Sequence, residues 1–308
     1  MNGHRCGSLV VQPAQRSFEP GHARETCLCL RVDIDTTRDA RALPSLLGLL
    51  QDFDVKATIF VSTGRDDSAR DLPRALLRVL RGRYIRRYGL DPLRSLLSSI
   101  GVEESTDWRV ALDGNHELGL HGFRHRQWLC KAKAWNAEKA DEMVGLALKL
   151  YRKRFGWAPR GFAAPGFVAT PQICVSLEKH GFLYTSNSVM EGGAPFRPEV
   201  DGRKLRLVEM PVSCLNVQEL LLGGLTRQAA LRLVENRFVE ASRSTGYFCY
   251  YVHPSHEVFV GGNGLRHLLS SFLSMSSVWA PTMEEAARAA ASNLGESPKG
   301  RRPSEDSA

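Results

Sequence analysis

The sequence predicts a parallel α/β fold, a (β/α) barrel of about seven or eight mostly parallel strands. Two observations carry this expectation. Short apolar, β-rich segments alternate with stretches of helical periodicity, and the polar residues of interest stand at strand C-termini, where the loops of such barrels build their sites. An open doubly wound sheet would place ligands at the same end. A dinucleotide site, however, needs a Gly-rich turn after the first strand, and TTRDA (36–40) provides none.

The elements follow in order. CLCLRVDID (27–35) reads as the first strand, RALPSLLGLLQDF (41–53) as a helix and KATIFVS (56–62) as the second strand. HELGLHGF (116–123) is the next strand, and residues 136–155 have helical spacing, with Asn136 as cap and basic residues in the last turn. GFAAP (161–165), FLYTSNS (182–188), LRLVEMPV (205–212) and YFCYYVHP (247–254) are further strands. SVWAPT (277–282) and the helix-forming MEEAARAA close the series. One catalytic domain is expected over 26–293, with a basic insertion at 66–112, a disordered leader (1–25) and a disordered tail (294–308).

Composition narrows the class. The 308 residues are 43% hydrophobic and 24% charged, with 27 Gly and 15 Pro, which excludes disorder, collagen and coiled coil. No apolar run approaches the ~20 residues of a membrane span. The first 26 residues lack the apolar centre of a secretory signal, so a cytoplasmic protein is expected. Seven irregularly spaced cysteines read as free thiols in a reducing compartment.

Asp33 and Asp35 lie two apart in a strand, so both carboxylates face one side. A lone Asp there is as readily read as an N-cap of the following helix. Two on one face repel unless a cation lies beside them. HGFRH supplies that cation's other ligands: His121 and His125 are four apart, and one helical turn would put both on the same face. Two imidazoles and a carboxylate make a facial metal site with open positions for water or substrate. His253 ends a late strand and suits a general acid, with His256 and Glu257 as neighbouring alternatives.

The ordered set Asp-x-Asp, His-x3-His, GFAAPGF and a late strand ending in His-Pro resembles the polysaccharide deacetylase family from about residue 28 to 292. That resemblance implies a distorted (β/α) barrel and one divalent metal, usually Zn2+. It implies Asp33 as general base, Asp35, His121 and His125 as ligands, and His253 as general acid. The substrate would be bound by Ala164, Pro165 and Gly166 of the AAPGF turn, by Asn187 and by Arg197. LRVDIDT, HELGLHGFRH, GAPFRP (193–198) and VEMPVS (208–213) further resemble the branch of deformylases acting on undecaprenyl-phosphate formamido-arabinose.

Two departures from the family pattern stand out. Ala163 occupies the place of an Arg that usually pairs with the base, and Arg160 lies on the opposite strand face. Asn187 stands where the family has an Asp that orients the acid. The expected function is therefore removal of a formyl or acetyl group from an amino sugar, polyprenyl-phosphate-linked. The alternatives are a soluble N-acetyl-sugar or polysaccharide deacetylase, or an inactive carbohydrate-binding homologue.

Eight arginines against Asp71 and Asp91 give residues 70–94 a net charge of +6, beside a stripe of Leu72, Leu76, Val79, Leu80 and Tyr84. Interleaved aromatics are too few for a nucleic-acid surface. The expected partner of residues 70–100 is an anionic membrane surface on the cytoplasmic face.

Overall fold

β1 (Thr26–Ile34) organises the molecule because its side chains divide cleanly between two environments. Leu28, Leu30, Val32 and Ile34 pack outward under the helices, while Cys27 and Cys29 join a second cluster inside the sheet's curl. Alternation along a strand then carries the inward row on through Arg31 and Asp33 to Asp35. A computed structural model gives this architecture for residues 25–64, 108–259, 263–275 and 277–295. The arginine-rich stretch and almost all of the expected leader and tail lie outside these described residues.

Among the described residues the main sheet has eight strands, every pair parallel. From β1 it runs through β2 (Thr58–Val61), β3 (Glu117–Leu120), β4 (Gly161–Phe162) and β5 (Tyr184–Thr185). A short antiparallel hairpin of β6 (Glu199–Val200) and β7 (Arg203–Lys204) precedes β8 (Val208–Glu209), which pairs with β5. β9 (Tyr247–Val252) and β10 (Val278–Trp279) both pair with β1. The curl closes where Ser213 N–H donates to Cys249 O and Ser213 Oγ accepts from Cys249 N–H, both at 2.9 Å. The result is a distorted (β/α) barrel, as the alternation of segments predicts.

Interior positions are sized to fit. A Cβ at Gly119 would come within 2.5 Å of the Phe60 ring, and one at Gly161 within 2.1 Å of the Tyr184 hydroxyl, so these glycines make room for the large rings that fill the barrel. The helix Met283–Asn293 seals the floor: Met283 N–H donates to Thr58 Oγ1 and Glu284 N–H to Glu117 Oε2, each at 2.8 Å. The opposite end, at the strand C-termini, is the mouth.

Local signals account for the elements around the mouth. Thr36 caps the helix Thr37–Gln51 in a reciprocal box with Asp39, which leaves Asp35 free of capping duty. Asp39 Oδ1 also accepts from Ser255 N–H at 3.1 Å, tying the end of β1 to the segment after β9. Asn136 caps the helix Ala137–Phe155 through Lys139 N–H, as expected.

Candidate metal centre

Asp35 leaves β1 with its side chain 24% exposed at the mouth. Its Oδ1 lies 3.1 Å from His121 Nε2 and 3.2 Å from His125 Nε2, and its Oδ2 lies 3.3 Å from His253 Nε2. Oδ1 is buried and receives no hydrogen bond, so neither short contact aims an N–H at it. Ligand atoms of Asp35, His121 and His125 all fall within 4.8 Å of one another. Three lone-pair donors facing a common point, one of them buried and unsatisfied, are what a divalent cation requires.

The two histidines converge by a different route from the one their spacing suggests. They do not share a helix. His121 follows β3, whereas His125 is the first residue of the helix His125–Lys131, and Arg124 between them is extended. The intervening chain turns at Gly122, whose φ is +74° and whose added Cβ would lie 2.9 Å from the Trp128 ring. The rings end 5.4 Å apart and stacked.

The loop is buttressed. Ser62 Oγ donates to His121 O at 2.9 Å, and buried Trp128 anchors the helix by donating from Nε1 to Val168 O at 2.8 Å. His121 Nδ1 faces the carbonyl of Ala163 at 2.8 Å, which places its proton on Nδ1 and leaves Nε2 for the site.

Asp33 sits one inward step deeper, 4% exposed. Both of its oxygens are gripped by the guanidinium of Arg31, Nε to Oδ1 at 2.8 Å and Nη2 to Oδ2 at 2.6 Å. Burial alone would raise the Asp33 pKa, but the charge of Arg31 and its paired hydrogen bonds outweigh it and hold the carboxyl below its usual range. Asp35 is likewise opposed by burial, yet His125 and His253 hold it well below the ordinary carboxylate range. For His253 burial disfavours the charge, but Asp35 prevails and the pKa rises to about 10.

His253 Nδ1 meets Gln218 Oε1 at 3.0 Å, so a glutamine on the helix Val217–Leu222 orients this ring. His256 Nδ1 lies 3.3 Å from Glu257 Oε1. Of the three acid candidates, His253 is the one in contact with Asp35 through Nε2.

The expected substrate-binding residues have mixed placements. Asn187 is turned inward: Oδ1 accepts from Ala164 N–H at 2.7 Å, and Nδ2 donates to Thr185 Oγ1. It shapes the AAPGF turn and does not face His253's ring nitrogens. Phe167 N–H donates to Ala164 O, Val168 N–H donates to Pro165 O, and Pro165 has no N–H, so among the described residues Gly166 N–H is the turn's remaining backbone donor. Arg197 donates from Nη1 to the carbonyl of Arg206. Ala163 is fully buried, and exposed Arg160 lines a cleft with His116 and Glu117 beside the floor.

Sequence reasoning missed three participants. Arg31 was legible in principle, since it stands two before Asp33 on the same strand face. Gln218 carries no motif. Glu209, buried in VEMPVS, accepts from Asn187 N–H, Ser188 N–H and Ser188 Oγ within 2.9 Å, while burial raises its pKa to about 7.

The profile of the polysaccharide deacetylase family matches residues 22–185, more than half of the sequence. The chain belongs to that family. It is 29% identical over 181 residues to a probable 4-deoxy-4-formamido-L-arabinose-phosphoundecaprenol deformylase, ArnD, of Shewanella sediminis, covering 56% of this chain and 59% of that one. It is 26% identical over 153 residues to the peptidoglycan deacetylase of Helicobacter pylori, covering 47% and 50%. Both matches thus span less than two thirds of the relatives' lengths. In fold, the chain is similar to a provisionally named polysaccharide deacetylase from Mycobacterium smegmatis, with TM-score 0.63, 20% identity, and 94% of this chain and 99% of that one covered.

Proposed function

We propose that the chain is a divalent-metal-dependent hydrolase that removes a formyl or acetyl group from an amino sugar carried on a polyprenyl phosphate. The observation that carries this reading is the convergence of Asp35, His121 and His125 on one point, flanked by Asp33 and His253. Two imidazole nitrogens and a carboxylate oxygen suit zinc and leave positions open. Bound there, the ion would polarise the amide carbonyl and make water acidic.

The chain's own groups divide the proton work. Asp33, ionised and clamped by Arg31, takes the proton of the attacking water. His253, with Nδ1–H held by Gln218, delivers a proton from Nε2 to the departing amine. Gly166 N–H is the backbone donor left to receive an oxyanion from the tetrahedral state.

The formyl, lipid-linked substrate is supported by the likeness to ArnD and by the +6 segment 70–94, each basic residue of which would contribute roughly 1 kcal/mol beside an anionic membrane. A deacetylase acting on a soluble N-acetyl sugar or polysaccharide is the second reading, favoured by the likeness to a peptidoglycan deacetylase. Matched N-formyl and N-acetyl amino sugars, with and without a polyprenyl-phosphate tail, separate the two. The proposal expects fastest formate release from the lipid-linked formyl sugar. Faster turnover of N-acetylglucosamine oligomers than of either lipid-linked sugar would replace it with the deacetylase. Flotation with anionic vesicles should show salt-sensitive binding that is lost when Arg74, Arg78, Arg81 and Arg86 are neutralised.

A further inference from the structure

We propose that Arg31 is the positioning residue of Asp33, supplying from the base's own strand the guanidinium that the AAPGF turn lacks at Ala163. The proposal rests on the reading of Asp33 as the base. A strand places residues two apart on one face, so Arg31, Asp33 and Asp35 form a single inward row, running from 0% to 4% exposure and then to the partly exposed Asp35 at the mouth. The deepest member is fixed on every side. Its Nε and Nη2 take both Asp33 oxygens, and Nη1 donates to Ser186 O at 2.6 Å and lies 3.3 Å from Ser186 Oγ, across the barrel after β5. The guanidinium carbon lies 4.7 Å from the ring centre of Phe167, 5.6 Å from Phe60 and 5.9 Å from Tyr251.

Phe167 shows what the chain gives up for this arrangement. Its φ is +59°, a left-handed conformation unfavourable for an aromatic residue, and it directly follows Gly166 in the same region. That backbone lays the ring on Arg31. A buried Arg–carboxylate pair contributes little net stability over apolar packing of equal volume. What it does confer is geometry: a bidentate fork fixes the plane of the carboxylate. With both oxygens held from below, Asp33 presents its remaining lone pairs toward the mouth, one residue pair from Asp35. Ala163, in the family's usual Arg position, contributes its carbonyl to His121.

A positioning role is tested by a double-mutant cycle on single-turnover amide hydrolysis, with metal content and circular dichroism recorded for each variant. Arg31→Met should keep the wild-type metal stoichiometry and change KM less than threefold, while the rate falls at least 100-fold. Arg31→Lys, which keeps the charge without the fork, should recover part of the rate. In an Asp33→Asn background the same Arg31→Met change should cost less than threefold, because the group it positions has gone. If Arg31→Met alone does not fold, Arg31→Lys takes its place in the same cycle. An undiminished rate in Arg31→Met, or an equal loss in both backgrounds, would overturn the proposal. Failure of the functional reading looks different, since the wild type would then hydrolyse no acylated sugar in the panel.

Discussion

Glu117 opens β3 and His121 follows its last residue on the same inward row, four residues apart, one at the floor of the barrel and one at its mouth. At the floor, Glu117 accepts from Thr58 Oγ1, Tyr184 O–H and Glu284 N–H, all at 2.8 Å, and burial raises its pKa to about 7. At the mouth, Asp33 and Asp35 are also penalised by burial, yet Arg31 pushes Asp33, and His125 and His253 push Asp35, the other way. Neutral donors hold a carboxylate in place without keeping it ionised; cations keep it charged. The floor is therefore suited to sealing the barrel, and the mouth to holding a cation and moving protons.

The largest effect that this contrast predicts is on turnover. His121→Ala or His125→Ala should bring amide hydrolysis to background, while Glu117→Gln, at the other end of the same strand row, should stay within about threefold of wild type. Asp33→Asn should lower kcat by roughly 10²–10⁴, the usual contribution of a general base, with metal retained. Comparable losses from floor and mouth substitutions would erase the distinction.

Stability against pH sharpens it further. Glu117 and Glu209 have folded pKa values raised from 4.5 to about 7, so the folded state binds protons more tightly than the unfolded chain between those values. Stability should therefore fall as pH rises from about 4.5 to 7, by on the order of 1–3 kcal/mol per group. Asp33 and Asp35 act with the opposite sign: their contribution is present above the unfolded carboxylate pKa of about 3.9 and is lost as pH falls below it. Urea denaturation of wild type and Glu117→Gln from pH 4.5 to 7.5 checks this. A flatter profile in the variant is expected, and an unchanged slope would show that Glu117 does not titrate there.

Much of this was legible in the sequence because strand alternation has physical consequences. Each of the eight strands of the main sheet overlaps an apolar segment readable beforehand, and Asp33, Asp35 and His253 fall on inward rows that period-two counting reveals. The convergence of His121 and His125 was legible as a fact but not as a mechanism, since four-residue spacing suggests a helix and Gly122 instead makes a loop. Arg31 shares the face of Asp33 by the same counting, but its burial and its grip on both Asp33 oxygens emerge only in the curled sheet. Gln218 reaches His253 from a distant helix, a contact that no local pattern encodes. The β6–β7 hairpin did carry a signal, Asp201-Gly202, both at positive φ as a type I′ turn requires.

The smallest expected effect tests that loop. Gly122→Ala adds a methyl at positive φ against Trp128, and should cost about 1–3 kcal/mol of stability and weaken metal binding more than turnover per bound metal. Thermal unfolding with and without added Zn2+ reads both quantities.

Metal stoichiometry tests the central claim most directly. Equilibrium dialysis against Zn2+ should give one equivalent for wild type and for Asp33→Asn, and none for a His121→Ala, His125→Ala double variant that circular dichroism reports as folded. One full equivalent in that double variant would contradict the assignment of Asp35, His121 and His125 as the metal centre.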